Sequence, residues 1–528
     1  IIMADSPSAH VVISAETRPV FREHARFTTT AIRAALMPVM TGYFERLEAA
    51  LRSEGFTRAL LILKSNGGVM GTALAKERPE ELIESGPAGG VAYAAYLSQA
   101  TGIENIIHTD VGGTSFDLGL VVDAGVRSYE FRPVIDRWMV GISMLQTTTM
   151  GAGGGSIAIY NDLLNRLEVG PRSAGAMPGP VCYDLGGNEP TVTDADVVLG
   201  YIAPDAYYSG RMQLSIKKAS AAIEEKIAKP LGVTVDEAAG LIRNVVEENM
   251  ASSIKREVHL RGYYPEDFVI FAFGGGGPTH VAGYRANIPV AVIFPQAPVF
   301  CALGSSIMDI MHVYELSKRM AFMQPNTEKF ILDKKLFNNS VETLLERAKI
   351  DLRAEGLDVD AAIFELELDM LYGGQVHVKR VSSPHLTIQN DQDVEDIYND
   401  FEKEFSAAFS PHVVYKEGGV YLDGMVLKAI IPTEKMTLEE QPLNGEDASA
   451  AKKGKRSAYW PELRKRIETV VYQFEDLQPG NRIEGPSLIE AEFTTIVIPP
   501  GQFFHIDSRG LGLLEYLPGH APADKEVS

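Results

Sequence analysis

Three short apolar segments of this chain run directly into clusters of glycine. Ala59–Leu63 (ALLIL) leads to Ser65-Asn66-Gly67-Gly68, Asn105–Asp110 (NIIHTD) to Gly112-Gly113, and Phe268–Phe273 (FVIFAF) to four glycines, Gly274–Gly277. Apolar runs of this length read as buried strands. Glycine at a strand end lets the backbone turn tightly and leaves its amides bare. Between these segments lie helical patterns. Residues 27–56 carry apolar positions at helical spacing and stop at Gly55, 86–100 form an Ala-rich run after Gly86-Pro87, and 217–260 hold two long helical stretches. Leu118–Val122 (LGLVV) reads as a further strand after the Gly112-Gly113 turn. Strand and helix alternate to about residue 320, which predicts an α/β core.

Composition bounds the function classes. The 528 residues, at roughly 150 per domain, amount to about three or four domains. With 49 Lys+Arg against 70 Asp+Glu the net charge is −21, which argues against nucleic acid or an anionic membrane as partner. A phosphate ligand must then be held by backbone amides, a metal ion or isolated basic residues. Two cysteines, Cys182 and Cys301, exclude a disulfide scaffold, a Cys-rich zinc module and an iron–sulfur cluster, and both read as inert core residues. The 11 histidines show no metal-ligand spacing. Ile1–Ala9 has neither a basic start nor an apolar core, so no secretory signal is read there and the cytoplasm is the expected compartment. Ala286–Met308 is uncharged and long enough to cross a membrane, but Pro289, Pro295, Pro298 and Gly304 would strand backbone groups in lipid. It reads as strand, turn and buried helix start.

The C-terminal part has a different texture. Residues 334–356 fit an amphipathic helix, and 363–380 alternate as a strand pair does. Residues 433–458 are polar and charged and read as a linker or mobile loop, with the basic run Lys452–Arg456 solvated. Short β segments follow at 470–472, 487–489 and 494–498. The expected organisation is 26–325 as core, 326–432 as the first part of an α+β domain, 433–458 as linker and 459–528 as a β-rich segment.

The glycine clusters are the candidate chemistry. In Asp110–Asp117 (DVGGTSFD), Gly112 and Gly113 bring amides close to a phosphate and Thr114 and Ser115 add hydroxyls. Asp110 is placed to hold Mg²⁺ or orient an attacking oxygen. An ordinary hairpin turn accounts for Asp-x-Gly-Gly equally well. In Gly274–His280 (GGGGPTH), four glycines after a strand and Pro278 at a helix start fit a nucleoside lying against backbone; a tight loop is the plain alternative. His280 reads first as a hydrogen-bonded helix-start residue. Gly151–Ser156 (GAGGGS) fails as a dinucleotide fingerprint, because no strand clearly feeds it, and no P-loop occurs. Asp194 and Asp196 read first as helix-cap residues.

Taken in order, Ser65–Gly68 (SNGG), Glu84–Gly90 (ESGPAGG), Asp110–Asp117, Gly151–Ser156, Gly170–Gly175 (GPRSAG), Pro190–Ala195 (PTVTDA), Gly274–His280 and Gly485-Pro486 resemble the hydantoinase A/oxoprolinase family over nearly the whole chain. Thr114–Asp117 (TSFD), Gly262–Pro265 (GYYP) and His280–Tyr284 (HVAGY) are most similar to the β-type subunit of acetone and acetophenone carboxylases. The resemblance implies an actin-like ATPase (ribonuclease H-like) fold, here lacking its N-terminal part, plus a C-terminal α+β domain. It implies a subunit of an ATP-dependent ketone carboxylase, in which ATP phosphorylates the ketone enol and bicarbonate before they combine to a 3-oxo acid. Asp110 and Asp117 would be catalytic, with Asp110 toward Mg²⁺. Gly112, Gly113, Thr114 and Ser115 would form the second phosphate loop, and Gly274, Gly275, Gly276 and Gly277 the adenosine loop, with Gly153 and Gly154 also at the nucleotide. A hydantoinase B-type partner would carry a divalent transition metal, Zn or Mn.

Two departures qualify that picture. The family's first phosphate loop, Asp-x-Gly-Gly-Thr near the start, has no counterpart before Asp110, and residues 10–30 resemble the end of the domain that carries it. Residues 1–25 are therefore expected as its tail, with the domain on a separate polypeptide or outside this sequence, and this chain alone is not expected to hold ATP productively. Many members also have His before the Gly151 loop, where Thr148-Thr149-Met150 stands here. The competing readings are an ATP-dependent cyclic amide hydrolase acting on 5-oxoproline or a hydantoin, and a non-catalytic actin-like scaffold.

Overall fold

The computed structural model describes residues 11–521 apart from 20–22, 127–132, 206, 208–209, 376–377 and 410–413. The start of the expected 1–25 tail, with Ile1–Ala9, lies outside the described residues. The chain forms two compact units that do not follow sequence order: Ile1–Ala88 with Ser128–Leu145 and Ile307–Lys435, and Gly89–Arg127 with Gln146–Ser306 and Met436–Ser528. No unit boundary falls at 325/326. Strand Ile310–Met323 runs across much of that region and pairs antiparallel with Val420–Ile431, so its hydrogen bonds commit it to the segment that follows.

In the first unit six strands take the order Leu61–Leu63, Val69–Gly71, Ile310–Met323, Val420–Ile431, Ile363–Tyr372, Lys379–Ser383. The two periodicities of the sequence meet in its core. Strand residues Leu366, Leu368, Met370 and Tyr372 are buried at every second position. Helix Lys334–Ala354 buries Phe337, Val341, Leu344, Ala348 and Leu352 at helical spacing, and its start is capped by Asp333, which accepts from the Leu336 amide at 2.9 Å. Each such large apolar side chain contributes about 1.5–3 kcal/mol through burial. Helix Glu23–Ser53 ends where Gly55 predicts. With φ at 88°, Gly55 donates to Arg52 O (3.1 Å) and Phe56 to Leu51 O (3.0 Å), closing the orphan carbonyls of the last turn.

The second unit is built on a nine-stranded sheet. Its order is Arg482–Glu484, Gln502–Ile506, Gly512–Tyr516, Val290–Ile293, Val269–Phe273, Ile106–Val111, Phe116–Val122, Gly125–Val126, with Thr147–Met150 also paired to Phe116–Val122. Val290–Ile293, Val269–Phe273 and Ile106–Val111 run parallel. Ile270, Phe271, Ala272 and Phe273 are all fully buried, as a central parallel strand requires. The β segments after residue 459 thus join this unit, because Gly512–Tyr516 satisfies the otherwise free edge of Val290–Ile293.

The linker expectation for 433–458 needs correcting in its second half. Lys452–Trp460 is a strand in a four-stranded sheet with Lys465–Gln473, Ser487–Ala491 and Thr494–Ile498. Lys453 lies 2.7 Å from the buried Glu490, and Arg456 pairs with the same carboxylate. Part of the basic run thus serves one buried acid rather than solvent, a partner 34 or more residues away that local composition does not reveal. Residues 286–308 give strand Val290–Ile293, a turn and helix Phe300–Ser306, and among the described residues no helix is long and apolar enough to cross a membrane.

Candidate functional site

All three glycine loops after residue 110 meet at one end of the nine-stranded sheet. Asp110 and Phe273 are register partners on parallel strands, so the Gly112-Gly113 turn and the Gly274–Gly277 loop leave the sheet on the same side. Gly276 N donates to Val111 O at 2.9 Å, tying the two together. The Gly151–Ser156 loop lies against the turn: Gly154 N donates to Gly112 O (3.1 Å) and Gly155 N to Gly113 O (2.7 Å). Gly153 is compulsory there, since a Cβ would stand 2.5 Å from Gly112 O. Gly153 N donates to Ser156 Oγ at 2.9 Å, so the amides of Gly153 and Gly154 are engaged within the protein. These two glycines support the Gly112-Gly113 turn.

The turn itself is what stays free. Gly112 N bonds Ser115 O at 3.0 Å, closing the hairpin, whereas among the described residues no acceptor takes the amides of Gly113, Thr114 or Ser115. Gly113 and Thr114 are exposed. Gly275 is exposed too, and a Cβ built there meets no protein atom within 4 Å. Its neighbour Gly274 differs sharply: φ is 77°, and a Cβ would stand 2.2 Å from Asp110 Oδ1. Gly275 O accepts from Thr494 Oγ1 at 2.7 Å, anchoring the loop to strand Thr494–Ile498.

Asp110 and Asp117 are directly opposed on antiparallel strands, which puts both carboxylates on one face beside the turn. Asp117 accepts from Ser115 Oγ at 3.2 Å and from Thr149 Oγ1. Asp110 Oδ2 accepts from Cys301 Sγ at 3.4 Å. Burial pushes the Asp110 carboxyl above the ordinary carboxylate range; the Cys301 bond pulls it back, and the Asp117 charge adds to the rise. Burial, reinforced by Asp110, pushes the Cys301 thiol far up, which keeps it a donor. Cys301 is therefore not an inert core residue but the partner of a site carboxylate; Cys182 is fully buried. Neither Cys301 nor Thr149 carries a sequence signal, because Thr149 reaches the site from strand Thr147–Met150 and Cys301 from helix Phe300–Ser306, both far along the chain from Asp110–Asp117.

Asp194 caps helix Val192–Leu199 in a reciprocal box with Thr191 and also accepts from the amides of Val181 (3.1 Å) and Cys182 (2.6 Å). Thr193 N and Oγ1 each donate to Gly154 O at 2.8 Å, so this helix start holds the supporting loop. Asp196 belongs to a buried cluster with Arg243, Glu247 and His280.

Free amides at Gly113 and Thr114, hydroxyls beside them, and an open face at Gly275 fit the phosphates and base of a nucleotide. Two adjacent carboxylates fit Mg²⁺ brought in with phosphates, since that ion is commonly held by one or two carboxylates together with phosphate oxygens and water. Among the described residues no group of three or more His, Cys, Asp or Glu side chains is arranged to hold a metal ion.

The hydantoinase/oxoprolinase family model matches residues 26–314, and the model of its C-terminal domain residues 326–516. The chain is 56% identical over 518 residues to the acetophenone carboxylase gamma subunit of Aromatoleum aromaticum, covering 98% of this chain and 70% of that one. A nucleotide-free structure of acetone carboxylase, from work on ATP-dependent acetone carboxylation, superposes with a TM-score of 0.81 at 27% identity, covering 96% of this chain and 71% of the other. ATP-dependent caprolactamase from Pseudomonas jessenii superposes with a TM-score of 0.79 at 33% identity, covering 98% and 74%. The motif order, the mixed α/β architecture and these matches agree: the chain belongs to the hydantoinase/oxoprolinase family.

Proposed function

We propose that this chain is the hydantoinase A-type subunit of an ATP-dependent ketone carboxylase. The observation that carries the reading is its 56% identity, over 98% of its length, to an acetophenone carboxylase subunit. In this reading the second unit is the actin-like ATPase part. The Asp110–Asp117 hairpin serves as its second phosphate loop and Gly274–Gly277 as its adenosine loop.

The amides of Gly113 and Thr114 would receive phosphate oxygens, with Ser115 adding a hydroxyl. Asp110 and Asp117 would hold Mg²⁺. ATP, when bound, supplies the phosphoryl group that activates the ketone oxygen and bicarbonate. The chain's task is positioning and charge neutralisation: the Gly151–Ser156 loop keeps the turn rigid, and the Cys301 thiol fixes one Asp110 oxygen. Carboxylation would be completed with a hydantoinase B-type partner carrying Zn or Mn. That the relatives are named as gamma and alpha subunits supports such a partner.

A second reading, ATP-dependent cleavage of a cyclic amide, is favoured by the likeness to caprolactamase. Phosphate release by the complex purified with this chain separates the two. Release with ATP and bicarbonate triggered by ketones, with labelled bicarbonate entering the product, supports the carboxylase. Release triggered only by 5-oxoproline, hydantoin or caprolactam moves the chain to the amide branch.

A further inference from the structure

Behind the glycine loops four charged side chains close a ring. Asp196 Oδ1 lies 2.8 Å from Arg243 Nη1, and Glu247 Oε1 2.8 Å from Arg243 Nη2. The other side of the ring is His280, with Nε2 3.2 Å from Asp196 Oδ2 and Nδ1 3.0 Å from Glu247 Oε1. All four side chains are at most 8% exposed.

Both ring nitrogens of His280 therefore face carboxylate oxygens. A neutral imidazole has one N–H and one lone pair, so one of the two contacts would set a lone pair against an oxygen. Only the imidazolium donates to both. Charge counting agrees: two carboxylates and one guanidinium leave one buried negative charge, which a protonated His280 neutralises. Burial alone would lower the basicity of His280 and Arg243 opposes its charge, but Asp196 and Glu247 outweigh them and hold it above the ordinary histidine value.

The ring spans the elements that carry the loops. His280 is in the first turn of helix Gly277–Tyr284, directly after the four glycines. Asp196 is three residues beyond Thr193, the residue bound to Gly154 O. Arg243 and Glu247 come from helix Val235–His259, and Arg243 also reaches Thr279 O, one residue before His280. A cation in the first turn opposes the helix dipole, so the helix alone does not favour it. Its paired carboxylates come from the two other helices.

We infer that His280 is a permanent imidazolium, and that the ring it closes with Asp196, Arg243 and Glu247 makes it a positioning residue for the Gly274–Gly277 loop. The positioning part rests on the nucleotide reading of that loop; the charge state does not. The test is nitrogen NMR of the ¹⁵N-histidine-labelled protein, with the His280 signal identified by its loss in His280→Gln. Both ring nitrogens remain protonated from pH 6 to 8.5. A neutral tautomer, or titration in the middle of that range, overturns the assignment. In steady-state ATP hydrolysis by the complex, His280→Gln raises KM for ATP about tenfold with kcat within twofold. An unchanged KM, or a loss confined to kcat, overturns the positioning role. Should His280→Gln fail to fold, Glu247→Gln removes one charge from the ring, and one histidine that keeps both ring nitrogens protonated at pH 8.5 in the native protein then gives the signals of a neutral imidazole; an unchanged set of histidine signals refutes the charge pairing.

Discussion

Adjacent glycines in the Gly274–Gly277 loop are predicted to respond oppositely to substitution. At Gly274, with φ at 77°, a Cβ falls 2.2 Å from Asp110 Oδ1 and 2.6 Å from Val111 O. Gly274→Ala thus combines a left-handed backbone penalty of about 1–2 kcal/mol with overpacking of about 1–3 kcal/mol. The sum, about 2–5 kcal/mol, is a large part of a typical domain stability of about 5–15 kcal/mol. At Gly275 a Cβ meets nothing within 4 Å, so Gly275→Val leaves folding nearly unchanged, within about 0.5 kcal/mol. Its branched side chain occupies the face proposed for the nucleotide, and a clash of about 1.5–3 kcal/mol lowers affinity by about ten- to a hundredfold. Thermal unfolding of both variants and calorimetric titration of ATP into the complex provide the comparison. Equal losses of thermal stability would refute the steric argument. Undiminished ATP affinity in Gly275→Val would refute the loop assignment.

Other substitutions probe the remaining parts. Asp110→Ala lowers ATP turnover by at least about a hundredfold while the complex still assembles, measured by phosphate release and gel filtration; normal turnover removes the site assignment. His108 lies beneath the site, fully buried with both ring nitrogens unpartnered among the described residues, and burial pulls its pKa to about 3. Because the folded value lies below the unfolded value of 6.5, the unfolded chain takes up the proton first and stability falls as pH drops from 6.5 toward 3. His108→Leu therefore gains about 2 kcal/mol over the native chain at pH 5 and shifts acid unfolding to lower pH, as followed by circular dichroism; an unmoved acid midpoint refutes the linkage. Asp194→Ala orphans the buried amides of Thr191, Val181 and Cys182 and costs about 3 kcal/mol or more, with denaturant midpoints as the measure and Asp194→Asn milder.

Much of the local structure was legible because its causes are local. Gly55 ends a helix since no side chain obstructs a positive φ, and the alternation from Ile363 to Tyr372 shows which face is buried. Asp194 serves at its helix start as read, in a capping box with Thr191, whereas Asp196, read the same way, sits inside the helix and pairs with Arg243 and His280 instead. The strand at Lys452–Trp460 was hidden because the buried acid that pairs its basic residues lies far along the chain. Gly153 and Gly154 read as ligand-binding glycines, yet the Gly153 amide is taken by Ser156 Oγ within its own loop and the Gly154 amide by Gly112 O; sequence reveals that a glycine is present, not what its amide faces.

The sequence by itself determined the family, the α/β class and the two exposed glycine loops, since each follows from short-range pattern or ordered motifs. Tertiary structure alone decided that Cys301 donates to Asp110, that Thr149 bonds Asp117, and that His280 sits between Asp196 and Glu247. It also decided the division of the chain, bringing strands Arg482–Glu484, Gln502–Ile506 and Gly512–Tyr516 into the sheet that carries Asp110. These outcomes depend on distances between residues far apart in the chain. Burial then makes them consequential, because a charge removed from water must find its partner wherever the fold has brought one.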